Sequence, residues 1–224
     1  MKNIVRKIPL LGPLAVMLYR KWIRPFPGSA NYWQQRYESC GNSGAGSYSE
    51  LAEFKAEIIN SFVRANTIET VIEHGCGDGN QLRLAEYPSY LGFDVSQAAI
   101  NRCREIFSND TAKEFKLSSD YAGEKAQLAL SLDVVYHLVE DHVFESYMKL
   151  LFRSSERFVI IYSSNTSDNR GNKDVHVKHR KFSEWVEKYK VRWKLHRYIP
   201  NRYPCMNGKG SFADFYIYEK SGQE

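Results

Sequence analysis

The stretch that decides the fold is VIEHGCGDGNQL, residues 71–82, in which an apolar run leads into a glycine-rich turn. Gly75, Gly77 and Gly79 alternate with other residues directly after that run, and a short helix is predicted over residues 80–86. Glycine is needed where a backbone turns with positive φ or lies against a ligand. Between a strand and a helix, such a turn predicts a site for part of a nucleotide.

The composition is that of a globular protein. The chain has 224 residues, of which 43% are hydrophobic and 25% charged, enough for one full core. Its net charge of +5 is mild, so no nucleic-acid partner is expected. The four cysteines form no CxxC pair and no zinc spacing, which favours reduced thiols in a cytoplasmic protein.

Residues 1–30 are predicted to form a separate N-terminal arm. They are basic and contain no acid, and their apolar run, residues 8–18, is too short to span a bilayer and includes Pro9 and Pro13. Two alternatives remain open. Residues 1–24 contact the inner face of the membrane peripherally through their cations, or the arm packs on its own domain.

The rest of the chain is predicted to be α/β. Residues 31–66 should form helices around a glycine-rich loop, residues 41–47, and the capping-box spacing of Ser47 and Glu50 places a helix between Tyr48 and Asn66. Over residues 67–224, strand and helix patterns alternate, and the last two of seven strands could form a hairpin. We therefore expect a mostly parallel seven-stranded sheet with helices on both faces and an antiparallel C-terminal hairpin.

Three nucleotide loops compete for the glycine turn. A phosphate-binding Walker loop is rejected because no Lys-Ser or Lys-Thr follows. A dinucleotide fingerprint is weakened because Asn80 stands where its third glycine would fall. The third candidate is an acidic residue followed by G-x-G-x-G, here Glu73 and the three glycines.

That third pattern resembles motif I of the class I S-adenosylmethionine (SAM)-dependent methyltransferases. Asp94 ends the second strand in YLGFDVS, and LALSLDVVYHLVED resembles the family's fourth-strand motif, so the likeness extends over most of residues 69–151. The resemblance implies a Rossmann-like methyltransferase fold and SAM as the cofactor. The residues it implies for cofactor binding are Glu73 for the methionine ammonium, Asp94 for the ribose hydroxyls, Asp120 for the adenine amino group, and Gly75, Gly77 and Gly79.

The loop before residue 48 is expected to act as a lid. Glycines surround Ser43 and Ala45, and N-terminal segments commonly close over the cofactor in this family. We predict that Tyr48 and the loop contact the cofactor site and exclude water. The alternative is a linker that only lets the chain turn.

His137 is the candidate catalytic base. It follows the fourth strand, and an ordinary histidine pKa near 6.5 suits proton transfer at neutral pH. Asp133 is expected either to orient His137 or to contact the cofactor. Alternatively, His137 is structural and packs against the following helix.

The basic segment, residues 176–182 (HVKHRKF), is the candidate acceptor site. His176, His179 and Arg180, with Tyr136, are predicted to bind an anionic acceptor; the alternative is a solvated basic face. No metal is expected, because no carboxylate pattern accompanies the histidines.

The sequence thus predicts an enzyme that transfers a methyl group from SAM to a small molecule. A hydroxyl of a sugar or of another anionic metabolite is the favoured acceptor. The alternatives are N-methylation, a protein or nucleic-acid acceptor, and a SAM-binding module without catalysis.

Overall fold

A computed structural model describes residues 26–170, 172, 174–206 and 209–222. Residues 1–24, for which membrane contact was predicted, lie outside the described residues. No helix in the described part is long and apolar enough to cross a membrane. The helices are α1 (Ser29–Glu38), α2 (Ser49–Ala65), α3 (Gln97–Ile106), α4 (Asp141–Arg153) and α5 (Phe182–Tyr189). The strands are β1 (Thr70–His74), β2 (Ser89–Asp94), β3 (Lys113–Leu117), β4 (Ala126–Leu132), β5 (Ser155–Ser163), β6 (Trp193–Ile199) and β7 (Asp214–Lys220).

The strands form one sheet in the order β3-β2-β1-β4-β5-β7-β6. The pairings from β3 to β5 are parallel, whereas β7 runs antiparallel to both β5 and β6. The predicted fold class, including the C-terminal hairpin, is confirmed. The helix predicted over residues 80–86 is shorter than expected, since only a single 3₁₀ turn, Gln81–Leu84, forms there.

Both faces of the central strands are buried, which explains their nearly unbroken apolar sequence. In β4, Leu128 and Leu130 belong to one core cluster and Ala129 to the other, because successive side chains point to opposite faces. In β5, Ile160 and Ile161 divide in the same way. The sheet is therefore a rigid support for the loops at its edge.

Helix α2 begins within one residue of the predicted start near Tyr48, but without the predicted capping box. Its first residue is Ser49, and Tyr48 precedes it without a side-chain capping bond. The capping box of Ser47 and Glu50 does not form; instead, the Ser47 carbonyl accepts a hydrogen bond of 2.7 Å from Asn80 Nδ2. The end of the helix before Asn66 is as predicted.

The order in which successive strands are added to the sheet reverses between β1 and β4, which are parallel neighbours. From β1 the chain proceeds outward to β2 and β3, and β4 then lies on the other side of β1. In open α/β sheets, a crevice forms at this switch point, beyond the carboxyl ends of the strands. Gly75 follows β1, Asp94 ends β2, and Asp133 follows β4, so all three lie at the crevice.

Candidate functional site

A cavity of about 360 Å³ occupies the switch point. Its floor includes side chains and backbone from the ends of the three central strands, and helix α1 covers it with Ala30, Trp33 and Tyr37. This volume lies within the range typical of small-molecule sites. The predicted site residues that line it are Glu73, Gly75, Gly77, Asp94, Asp133 and His137.

The glycine turn needs its glycines for two reasons. Gly75 and Gly77 have φ values of 92° and 58°, in the left-handed region. A Cβ on Gly75 would lie 2.4 Å from Val134 Cγ2, and one on Gly77 would lie 2.4 Å from Ser43 Oγ. Gly79 has a third role: it does not line the cavity, and a Cβ there would meet Cys103 of α3 at 3.0 Å.

Asp94 is buried, and the backbone holds it in place. Its Oδ2 accepts a hydrogen bond from the Gly77 N–H at 3.0 Å, and its Oδ1 accepts one from the Ser96 N–H at 2.9 Å. Burial raises the pKa of Asp94 to about 6, while these bonds act in the opposite direction. Each carboxylate oxygen can accept a further bond, so the group can receive a pair of ligand hydroxyls.

Glu73 is a second buried carboxylate of the cavity. It accepts a hydrogen bond of 2.6 Å from the Tyr90 hydroxyl. Burial raises the pKa of Glu73 to about 7, although the Tyr90 bond and the charge of Lys55 lower it. A cationic ligand group would stabilise the ionised form of this side chain.

Asp78 joins the glycine turn to the lid loop (residues 41–47). Its Oδ2 accepts hydrogen bonds from the Ser43 N–H at 3.0 Å and from the Tyr48 hydroxyl at 2.8 Å. In return, the Asp78 N–H donates to Ser43 Oγ at 3.0 Å. Tyr48 itself does not line the cavity. It binds Asp78, the residue that fixes the lid loop to the glycine turn.

Helix α1, which covers the cavity, is held by hydrogen bonds to Glu140 and to the start of α3. The Ser29 N–H and hydroxyl donate to Glu140 at 2.9 and 2.6 Å. The Gln97 N–H donates to the Gln34 side chain at 3.0 Å, which ties α1 to the start of α3. The helix thus covers the cavity through contacts that are distant in the sequence.

Asp133 does not orient His137. Its Oδ2 forms an ion pair of 2.6 Å with Lys55 Nζ, and its Oδ1 accepts a bond of 2.8 Å from the Tyr136 hydroxyl. Its φ of 61° places it in the left-handed region. Such backbone strain in a non-glycine residue is frequent at functional sites.

His137 differs from an ordinary solvated histidine. Its Nδ1 lies 3.0 Å from the His176 carbonyl oxygen, and because a carbonyl only accepts, Nδ1 carries the proton and Nε2 holds a lone pair. Burial lowers the pKa of His137 to about 4. The ring packs edge-on to Trp33 at 4.8 Å and stacks on His176 at 5.2 Å.

The predicted acceptor residues are engaged with the protein itself. Arg180 pairs with Asp141 at 2.7 Å and donates to the Val139 carbonyl at 2.8 Å. His179 is bonded to Ser164 Oγ at 2.7 Å. None of His176, His179, Arg180 and Tyr136 lines the cavity, and the exposed Asp120 does not either, although Ser118 beside it does.

The sequence-based interpretation missed three residues: Lys55, Tyr37 and Asp78. Lys55 had a detectable signal, because it stands four residues after Leu51 and four before Ile59, on the apolar face of α2. A charged residue at such a position needs a buried partner. The role of Tyr37 depends on long-range packing, of which its local sequence carries no sign, whereas Ser43 lies in the loop that was predicted to contact the site.

Solved structures with a similar fold are methyltransferases. The N-methyltransferase NodS from Bradyrhizobium japonicum WM9, with S-adenosyl-L-homocysteine (SAH), matches with a TM-score of 0.66 and 10% identity over 86% of this chain and 98% of NodS. The magnesium protoporphyrin IX methyltransferase ChlM from Synechocystis PCC 6803, with SAM, matches at 0.61 and 13% identity over 86% and 97% of the chains. The methyltransferase domain of bacterial CtHen1-C matches at 0.60 and 19% identity over 75% and 97%. The sequence matches no protein-family profile and no curated protein.

The fold and the position of the cavity define a class. The chain has the fold of the class I SAM-dependent methyltransferases, which confirms the resemblance in fold that was predicted from the glycine turn.

Proposed function

We propose that the protein is a SAM-dependent methyltransferase acting on a small-molecule acceptor. The observation that carries this proposal is the cavity at the switch point, with Asp94 at the end of β2 and Asp133 and His137 after β4, on opposite sides of β1. NodS and ChlM, solved with SAH or SAM, share the fold and support the choice of cofactor. When bound, the sulfonium of SAM supplies an activated methyl group.

The residues present fit the cofactor. Asp94 lines the cavity and would accept hydrogen bonds from the two ribose hydroxyls, since each of its oxygens keeps a lone pair beyond its backbone bond. Val95 and Val134 offer apolar walls for the adenine ring. Gly75 keeps the backbone free of a Cβ at the cavity, and Glu73 provides a negative charge for the ammonium.

Helix α1 and the lid loop exclude water from the reacting atoms. Trp33 and Tyr37 cover the cavity, and Ser43 closes over the glycine turn through its bonds to Asp78. A dry site holds the acceptor atom in line with the methyl group without competition from solvent.

For a hydroxyl acceptor, His137 Nε2 is the proton acceptor. As the acceptor oxygen takes the methyl group that SAM would supply, Nε2 would accept the hydroxyl proton and later release it to solvent. The lowered pKa keeps His137 neutral at pH 7, so Nε2 is ready to accept a proton, although as a weaker base than a solvated histidine. This role distinguishes O-methylation from transfer to a neutral amine.

The cofactor assignment is tested by isothermal titration with SAM, SAH and NAD. We expect SAM and SAH to bind and NAD to bind far more weakly. Tight binding of NAD with no binding of SAM would overturn the proposal.

Catalysis is tested by formation of SAH with a panel of hydroxylated and amine-bearing small molecules. With a hydroxyl acceptor, His137→Ala should lower kcat about a hundredfold or more while SAM affinity changes little. His196→Ala is the matched control, since His196 lies on the outer strand β6. Binding of SAM without turnover of any acceptor would favour the non-catalytic module, and equal losses of affinity and turnover in His137→Ala would make that residue structural.

A further inference from the structure

Lys55 is a buried cation within the cavity. Its side chain is 1% exposed, and its ammonium lies 2.6 Å from Asp133 Oδ2 and 5.3 Å from the centre of the Tyr162 ring. Removing a charge from water is costly, and an ion pair in the interior often does not recover that cost. A buried lysine that lines a ligand cavity therefore points to a role beyond stability.

The hydrogen bonds of Lys55 are incomplete. An ammonium has three donors, and within the described part of the chain Asp133 is the partner that accepts one of them. The second oxygen of Asp133 is already used by the Tyr136 hydroxyl. Lys55 thus has donors left over for an oxygen atom that enters the cavity.

The charges of the cavity restrict what that oxygen belongs to. Three carboxylates line it, those of Glu73, Asp94 and Asp133. Among the described lining residues, Lys55 is the one side chain with a permanent positive charge. A negatively charged ligand group therefore finds its one favourable contact at Lys55.

We propose that Lys55 binds the α-carboxylate at the amino-acid end of SAM, and that Asp133 holds the ammonium of Lys55 in position. This inference rests on the proposed function, because it takes the ribose to lie at Asp94. Because β1, which carries Glu73, lies between β2 and β4, an amino-acid end that passes Glu73 would reach Asp133 and Lys55. The site would consequently distinguish SAM from analogues that lack the carboxylate.

The test compares three ligands on several variants by isothermal titration. The ligands are SAM, its decarboxylated form, and 5′-methylthioadenosine, which lacks the whole amino-acid end. In Lys55→Met, the ratio of SAM affinity to decarboxylated-SAM affinity should fall by about tenfold to about a hundredfold, the worth of a charge-assisted hydrogen bond. The affinity for 5′-methylthioadenosine should change little.

Lys178→Met is the matched control. Lys178 also forms an ion pair of 2.6 Å with an aspartate, Asp141, but it does not line the cavity. The ratio of SAM affinity to decarboxylated-SAM affinity in this variant should equal that of the wild type. If it fell as far as in Lys55→Met, the effect would come from net charge and the inference would be wrong.

A double variant separates binding from folding. Lys55→Met alone leaves Asp133 as an uncompensated buried charge, whereas Lys55→Met with Asp133→Asn removes both charges of the pair. We expect the double variant to fold, as judged by circular dichroism and thermal unfolding. Its ratio of SAM affinity to decarboxylated-SAM affinity should fall as far as in Lys55→Met.

A double variant that keeps the wild-type ratio would overturn the inference while leaving the proposed function intact. Failure of the wild type to bind any of the three ligands would overturn the proposed function as well.

Discussion

At the end of the cavity near Asp94, main-chain groups do most of the holding, whereas at the end near Asp133 side chains from distant elements meet. The Ser96 and Gly77 amides, which fix Asp94, are only 2 and 17 positions away. Asp133 is instead paired with Lys55, 78 positions away in the sequence. The first arrangement follows from a local motif, and the second exists only once α2 has packed on the sheet.

The largest effect that would sharpen this comparison is expected from Asp94→Asn. Loss of the ionised acceptor should weaken SAM binding about a hundredfold, measured by isothermal titration. Asp120→Asn is the control, because that carboxylate is exposed and does not line the cavity. Similar losses in the two variants would mean that the ribose does not lie at Asp94.

Gly77→Ala tests the end of the cavity near Asp94 by its effect on the stability of the protein. The left-handed φ of 58° and the 2.4 Å approach to Ser43 Oγ should together lower the free energy of unfolding by about 2–4 kcal/mol. Gly123→Ala, with φ of 107° and no atom within 4 Å of the added Cβ, has the backbone cost alone. Urea unfolding measures both, and a loss in Gly77→Ala of only about 1–2 kcal/mol, the cost of a left-handed backbone alone, would show that the lid loop does not press on the turn.

The dependence of SAM binding on pH should also arise at the end of the cavity near Asp94. The pKa of Asp94 is raised by burial to about 6, so its ionised, accepting form predominates above that pH and disappears as the pH falls through it. Between pH 7 and pH 5, SAM affinity should drop about tenfold, since only about a tenth of the carboxyls remain ionised one unit below the pKa.

Glu73, whose pKa is raised by burial to about 7, titrates in the same direction. Titrations of SAM into the Asp94→Asn variant over the same pH range isolate the contribution of Glu73 to the pH dependence. A pH dependence in that variant equal to the wild type's would assign the whole effect to Glu73.

The smallest effect is expected at the contact between the lid loop and the turn. Tyr48→Phe removes the 2.8 Å bond to Asp78 and should weaken SAM binding about threefold to tenfold. Tyr198→Phe removes a comparable bond of 2.9 Å to Asp214 on the outer strands and should leave affinity unchanged. No change in either variant would favour the linker alternative for the loop.

The fold was predictable because its signals are local. The apolar runs of β4 and β5 and the glycine turn each depend on neighbouring residues, and Ser96 caps α3 by accepting from the Ala99 N–H, three residues on. The helix predicted to begin near Tyr48 begins at Ser49, but the capping box that suggested it does not form, since Tyr48 precedes the helix without a side-chain capping bond.

The acceptor side was less predictable for a physical reason. Clustered charges in the basic segment suggested a binding surface, but Arg180 satisfies its donors on Leu138, Val139 and Asp141. Likewise, the pKa of His137 depends on burial under Trp33 and beside His176, which spacing along the chain does not reveal.

The pairing of Lys55 with Asp133 has an evolutionary consequence. A change at either position alone would strand a charge in the interior, so descendants that lose one are under pressure to lose the other. Once homologous sequences are aligned, positions 55 and 133 should therefore covary, with pairs of one charged and one uncharged residue rare.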